Sequence, residues 1–558
     1  MEPSNKRSWH KPDAEWCLTS ALVIGLALLI VSILALLWVP PVSKDALVHH
    51  LAVPKLYLKH GGMYEIPHMK FSYYPMNLDL IYLIPLYFGN DMIPKLIHFA
   101  FALLTAWLIF NYLRRRIDSK YALLGVIFFL SLPIIVKLSI TVYVDLGLIF
   151  FSTASLLFLL KWAESGFRLR FLILSAALCG LAMGTKYNGL ITCLLLTFFA
   201  GFLYAKYVHG IKFSGLKCVG YGSLFLLVAL IFFSPWMVRN YVWTNNPIFP
   251  LYDHWFNSHQ GMEPERLGFF SVRAVLYGES WWEMALLPIR IFFQGRDGSP
   301  QYFDGKLNPF LLFLPFLAFY QMRRDPQTER NEKKIFLNFA VLFFAFAFFS
   351  SGLRIRYVSP MIPPLIILSV FGVKRLSEAT KGFKSPIHRK IAQLGILFVV
   401  SFFLWLNANY IFEQYRYVKP FDYLKGEMTR DEYIERYRPE YAAMKYINDT
   451  LPTHSRILFI FLGGRGYYCD RDYVFDMNGT KSILRQLVQK AERPEDVLQG
   501  LKERGISHIL INEKIFKKWL KINFSIKERY ILSNFLNKYT KIVYTRNGYN
   551  LIELNILH

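Results

Sequence analysis

WCLTSALVIGLALLIVSILALLWV (residues 16–39) runs directly into PPVSKDALVHHL (residues 40–51), and this junction decides the fold. The first stretch carries no charge and is long enough to cross a bilayer, which takes about 20 residues. It follows a basic segment with Lys6, Arg7 and Lys11 and lacks a small-residue cleavage site. It therefore reads as an uncleaved anchor with a cytoplasmic N-terminus. The second stretch then opens an outer loop, and Asp45 is the first carboxylate in it.

Composition agrees. Of 558 residues, 54% are hydrophobic, 17% aromatic and only 18% charged, far from an ordinary soluble chain. The formal charge is +25; residues 411–558 hold 25 Lys and Arg against 18 Asp and Glu, a net +7, which leaves +18 for the rest. A basic membrane part suits anionic headgroups and phosphate and argues against a nucleic-acid partner. Cys17, Cys179, Cys193 and Cys218 fall in or beside apolar runs and Cys469 in the polar tail, so no disulfide framework or metal pattern is expected.

Reading the apolar runs against the positive-inside rule gives about 11 transmembrane helices, near 16–39, 94–113, 121–136, 142–160, 171–185, 189–205, 218–236, 308–320, 335–350, 357–373 and 391–409. The alternate loops assigned to the inside carry Arg114-Arg115-Arg116, Lys161 with Arg168 and Arg170, Lys206 with Lys212 and Lys217, Arg323-Arg324 with Lys333-Lys334, and Lys374-Arg375 with Arg389-Lys390. The apolar segment Asn77 to Phe88 is too short to span and is placed as an interfacial helix of the first outer loop. The 308–320 run is the weakest of the set. The long outer loops, 40–93 and 237–307, are rich in Trp, Tyr, Pro and His, as functional loops often are.

The expected architecture is a mostly α, polytopic membrane protein, N-terminus in and C-terminus out, with a membrane domain over 1–410 and a soluble α/β domain over 411–558. In the tail, Arg438 to Asp449 and Pro494 to Arg504 pattern as helices, Arg456 to Phe461 and Ser507 to Ile511 as strands. Lys541 to Thr545 and Tyr549 to Leu554 flank Asn547-Gly548, a two-residue hairpin turn that needs positive φ at both positions.

Several residues are candidates for chemistry. Asp45 and His49 lie four apart in a helix-like stretch, which puts them on one face and turns His50 elsewhere. Asp45 has two roles open to it, a cap for a helix starting at Ala46 or a base acting on a lipid-borne substrate. Asp145 stands at the outer end of the fourth run, where a lipid-facing carboxylate costs about 2.5–3.5 kcal/mol. It either faces a polar cavity or pairs with Lys137 at the interface. Lys186, Arg239, Arg354 and Arg356 sit on the outer side, which the positive-inside rule disfavours for cations. Arginine forks and lysine charges stabilise phosphoryl oxygens; solvated boundary cations are the alternative. His49, His50, Glu65 and His68 have the chemistry of divalent-cation ligands but match no metal motif. Gly463-Gly464-Arg465-Gly466 follows a strand without a nucleotide-binding pattern and reads as a turn.

Five stretches in order resemble a known family: Lys44 to Ala52 with Tyr57 to Gly61; Val144-Asp145-Leu146; Gly184 to Leu190; Pro235-Trp236, Arg239-Asn240 and Asn246 to Pro250; and Arg356-Tyr357 with Pro360. They are similar to the GT-C glycosyltransferases, in particular the branch of protein mannosyltransferases and the bacterial aminoarabinose transferase to lipid A. That resemblance implies transfer of a sugar, with inversion, from a polyprenyl-phosphate donor to a lipid, glycan or protein acceptor. It also implies a bacterial inner (plasma) membrane, with the site and the tail on the periplasmic side. By the same resemblance Asp45 is the functional carboxylate, with Asp145 and Lys186 in the same cavity. The chemistry independently makes Asp45 the base, with Asp145 orienting the acceptor or supporting residues, and gives the phosphate to Lys186, Arg239, Arg354 and Arg356; His49, His50, Tyr187 and Tyr357 complete the candidate catalytic and substrate-binding set. The family commonly carries two acids in the first loop. Here Ala46 follows Asp45, so no metal is assigned and a divalent cation is left open. A transporter or flippase for polyprenyl-linked glycans, an O-antigen-type ligase and a non-enzymatic scaffold are the competing readings.

Overall fold

A computed structural model describes residues 14–207, 214–257, 268–349, 352–476 and 482–554. Lys6, Arg7, Lys11 and Lys212, used above for orientation, lie outside the described residues. The chain divides into two compact units. One comprises Met1–Trp38, Tyr74–Leu78 and Pro94–Pro420; the other comprises Val39–Tyr73, Asp79–Ile93 and Phe421–His558.

The first unit is helical. Among the described residues, seven helices are long and apolar enough to cross a membrane: Trp16–Leu37, Ile93–Arg116, Asp145–Glu164, Gly189–Lys206, Gly215–Thr244, Ser359–Thr380 and Pro386–Val418. An eighth span results if Ser119–Ser131 and Pro133–Ser139, bent by 65°, count as one. The bend falls where Pro133 removes a backbone donor. The remaining three of the eleven expected runs are shorter or more polar. Leu169–Thr185 has 17 residues. Phe310–Leu317 has 8 and contains Pro315. Gln327–Phe348 begins with a charged turn and a half. That charged start is nevertheless enclosed, because Glu332 receives the guanidinium of Arg116 and the hydroxyl of Tyr112, and Lys333 pairs with Asp325 at 2.8 Å. Burial of ions is tolerable only with such partners.

The second unit contains a mixed five-stranded sheet. The strands are β1 (Arg456–Ile460), β2 (Asp472–Phe475), β3 (His508–Asn512), β4 (Thr540–Arg546) and β5 (Tyr549–Leu554). Their order is β2-β1-β3-β5-β4, with β1 parallel to β2 and β3, and β5 antiparallel to β3 and β4. Central strands covered on both faces read as continuous apolar runs, and β1 (RILFI) and β3 (HILIN) do. Leu458, Ile460, Ile509 and Ile511 face a core closed by Leu484, Val488, Val497 and Phe535. Ile457, Phe459 and Leu510 face the other core, closed by Ala443, Met444 and Ile447. The expected hairpin is present, with Asn547 at φ 53° and Gly548 at φ 77°. The expected tail helices form as Tyr441–Thr450 and Pro494–Lys502.

Candidate active site

In the first unit, the residues of interest collect at helix ends. Asp145 is the first residue of the helix Asp145–Glu164 and is 0% exposed. Gly147 two residues in lets this end pack closely, since a Cβ there would stand 2.6 Å from Leu78 Cδ2. The next backbone donor, Leu146 N–H, reaches His98 Nε2 at 3.0 Å. His98 Nδ1 lies 3.0 Å from the carbonyls of Leu138 and Thr141. Both ring nitrogens are thereby used, Nδ1 as donor and Nε2 as acceptor, and a neutral imidazole caps the helix from a distant segment.

Lys186 occupies the break between Leu169–Thr185 and Gly189–Tyr207, with extended backbone (φ −162°, ψ 142°). The break is tight enough that a Cβ at Gly189 would meet the Ala182 carbonyl carbon at 2.5 Å. Only glycine permits that approach. From this break Lys186 Nζ contacts Asp145 Oδ1 at 2.5 Å and lies 5.0 Å from the centre of the Tyr357 ring. Asp145 Oδ2 is buried with no hydrogen-bond partner among the described residues. The Arg356 guanidinium stacks over Tyr143 at 5.1 Å and Tyr357 at 5.3 Å. This is a largely enclosed, aromatic-walled group of one acid and two cations, in which electrostatic interactions are stronger than in water.

A second group adjoins it in sequence. The Tyr187 hydroxyl donates to Phe249 O at 2.8 Å and accepts from Asn240 Nδ2 at 3.0 Å. Arg239 donates to Asn240 Oδ1 at 2.8 Å and to Tyr74 O at 3.1 Å, and packs over Trp236 at 4.6 Å and Trp243 at 5.0 Å. Asn188 Nδ2 reaches Tyr357 O at 3.3 Å. The stretches 184–190, 235–250 and 356–360 thus meet. Arg354 has a different carboxylate partner: it faces Asp304 at 3.6 Å, as does Lys137 at 3.0 Å, and lies 6.0 Å from the Tyr357 ring.

The geometry decides between alternatives at two places. Asp145 pairs with Lys186 and not with Lys137, whose carboxylate partners are Asp297 and Asp304. The four outer cations are not a pool of solvated charges, because Lys186 and Arg354 face carboxylates and Arg239 and Arg356 lie on aromatic rings.

In the second unit, Asp45 is half-buried and immediately precedes a π-helix, Ala46–His50. The i→i+5 ladder shows in Leu51 N–H donating to Ala46 O at 2.9 Å. Such turns are rare and gather at functional sites. Asp45 has helical backbone and makes no side-chain capping bond. The cap role is therefore not the one it plays. His49 and His50 do not diverge either; the wider turn brings their ring centres to 3.9 Å. His49 stacks on Phe71 at 4.6 Å, and His50 Nδ1 lies 2.7 Å from Asp79 Oδ1, with both partners of that bond buried. Glu65 accepts from the Tyr73 hydroxyl at 2.5 Å, and His68 lies beside Phe475. Among the described residues no three His, Cys, Asp or Glu side chains group as metal ligands. Sequence reasoning missed Asp79 and His98, both buried polar residues in apolar surroundings. That setting was the signal available for them.

Residues 78–238, the segment with Asp145 and Lys186, match the family described as Dolichyl-phosphate-mannose-protein mannosyltransferase. No curated protein matches the chain in sequence. Among solved structures, ArnT from Cupriavidus metallidurans in the apo state superposes with a TM-score of 0.58 at 14% identity, covering 96% of this chain and 98% of that one. The same protein bound to undecaprenyl phosphate gives 0.53 at 15% identity, with the same coverage. The Archaeoglobus fulgidus oligosaccharyltransferase in complex with Zn and sulfate gives 0.51 at 10% identity, covering 92% and 71%. The chain has the ArnT fold.

Proposed function

We propose that the chain transfers a sugar, with inversion, from its polyprenyl-phosphate carrier to an acceptor hydroxyl on the outer side of a bacterial inner membrane. The observation that carries this reading is the buried group of Asp145, Lys186 and Arg356 inside and beyond the segment that matches the mannosyltransferase family. ArnT, whose fold the chain shares, binds undecaprenyl phosphate, a lipid carrier of the kind required. The acceptor is a lipid, glycan or protein.

The acceptor oxygen attacks the anomeric carbon from the face opposite the phosphate, and the bond from that carbon to the phosphate oxygen breaks. Its electron pair stays on the phosphate, and the hydroxyl proton passes to the Asp45 carboxylate. Lys186 and Arg356 stabilise the departing phosphate, with Arg239 and Arg354 as further cations along the lipid phosphate's approach. Asp145 holds Lys186 aimed at the phosphate; Tyr187 and Tyr357 wall the sugar, and His49 and His50 line the acceptor side. We assign eleven crossings with the N-terminus inside, a catalytic membrane domain over 1–410, and the domain over 411–558 in the periplasm.

Purified protein given a panel of synthetic polyprenyl-phosphate sugars tests the reading. Release of polyprenyl phosphate together with a glycosylated acceptor of inverted anomeric configuration is expected from one of them. Movement of the intact lipid-linked sugar across proteoliposomes without hydrolysis or transfer would reject it.

A further inference from the structure

In the second unit, the glycine loop after β1 sits where open α/β sheets hold their ligands, at the carboxyl end of a parallel strand. Phe461, Gly463 and Gly464 all have positive φ, at 62°, 66° and 75°. The loop leads into two successive backbone donors, and they have a partner. Gly466 N–H and Tyr467 N–H both reach the carbonyl of Leu47, at 3.2 and 3.3 Å. Leu47 lies in the π-helix that follows Asp45. The occupant of the loop is thus the chain's own first outer loop.

Further ties run between the same two segments. A Cβ built on Gly464 would lie 3.6 Å from Val48 Cγ1, in ordinary contact. Lys55 Nζ donates to Tyr467 O at 2.7 Å and pairs with Asp470 at 2.6 Å; Lys59 pairs with Asp472 at 2.5 Å. The Tyr468 hydroxyl donates to Pro41 O at 2.8 Å. Arg430 and the Tyr467 hydroxyl both reach Asp91 Oδ2, at 2.6 and 3.2 Å. The bonds to Pro41, Leu47, Lys55 and Lys59 bracket Asp45 on both sides.

We propose that the loop 463–467 is a clamp that fixes the orientation of Asp45. The tail then acts on the rate of the transfer step through positioning residues, and not as an acceptor-binding module. This inference rests on Asp45 being the base. Displacement of a reacting group by about 1 Å can cost 10²-fold in rate, so a loosened clamp is visible in kcat.

The test is the pair Val48→Cys with Gly464→Cys in a Cys17→Ser background of the full-length protein. Oxidation is expected to cross-link the pair and restore turnover to near wild type. Reduction leaves the side chain introduced by Gly464→Cys strained at positive φ and lowers kcat about tenfold with the donor KM unchanged, the pattern of a group that acts only in the transition state. Failure to cross-link, turnover indifferent to reductant, or loss of activity on oxidation would overturn the proposal. Lys55→Met, which leaves the loop backbone intact, is expected to lower kcat severalfold at constant KM; a rise in KM at constant kcat overturns it as well. Asp45→Asn separates the two claims. If that variant is inactive while the cysteine pair ignores its redox state, the clamp fails and the base assignment stands; if it retains turnover, the base assignment itself fails.

Discussion

Asp145 in the first unit and Asp45 in the second both stand at a helix start, yet their surroundings differ in kind. Asp145 is fully enclosed, and one of its oxygens is held by Lys186 at 2.5 Å. Asp45 is half-buried, leads into a π-turn, and does not spend its carboxylate on capping. A sealed acid locked to an ammonium serves as an anchor for that ammonium. A partly accessible acid on an irregular turn suits proton exchange with a substrate. The difference is what the proposed roles rest on, electrostatics for Asp145 and proton transfer for Asp45.

Replacing Asp145 with Asn strikes hardest at this contrast, because it strands Lys186 in a buried place. Removing one partner of a buried pair costs about 3–5 kcal/mol, so both folding yield and turnover are expected to fall sharply. In the double variant with Lys186→Met, thermal stability should recover while transfer stays lost. Recovery of transfer in the double variant would show that the pair is structural only.

Arg356→Lys keeps the charge but forfeits stacking on Tyr143 and Tyr357. A fall of about tenfold in kcat/KM is expected, from the loss of about 1.4 kcal/mol of cation stacking and fork geometry. An unchanged value would remove Arg356 from the phosphate site. On the other side of the comparison, Asp79→Asn weakens the bond to His50 and is expected to lower turnover a few-fold with little change in melting. Equal losses in turnover and stability would make Asp79 a core residue and nothing more.

The smallest effect concerns pH. Burial holds the imidazoles of His68 and His508 below their usual value, with Arg456 adding to the effect at His68. The folded state therefore favours the neutral ring. The stability it confers is fully present above the unfolded value of about 6.5 and is lost as pH falls through the folded values. Melting of the protein is expected to decline as pH falls below about 6.5, and His508→Gln should flatten part of that slope.

What the sequence disclosed depended on how local the determinant was. The anchor at 16–39, strand β1 and the Asn547-Gly548 hairpin rest on short-range patterns and formed as read. The partner of Asp145 stayed open between a cavity and Lys137, because Lys137 is nearer in the chain while Lys186, 41 residues away, is nearer in space. The π-turn also escaped. Its i→i+5 bonding leaves no mark on an i, i+4 pattern, and the relation of His49 to His50 was inverted as a result. Runs such as Phe310–Leu317 and Gln327–Phe348 were apolar enough to suggest spans, and the helices they form are interrupted by Pro315 or open on charged, ion-paired residues.

Single-turnover transfer by Asp45→Asn, from the polyprenyl-phosphate sugar that the wild type accepts, tests the account most directly. A general base contributes about 10²–10⁴-fold, so the rate should drop by about 10³ while donor binding and melting temperature stay at wild-type values. Wild-type turnover in that variant would contradict the account.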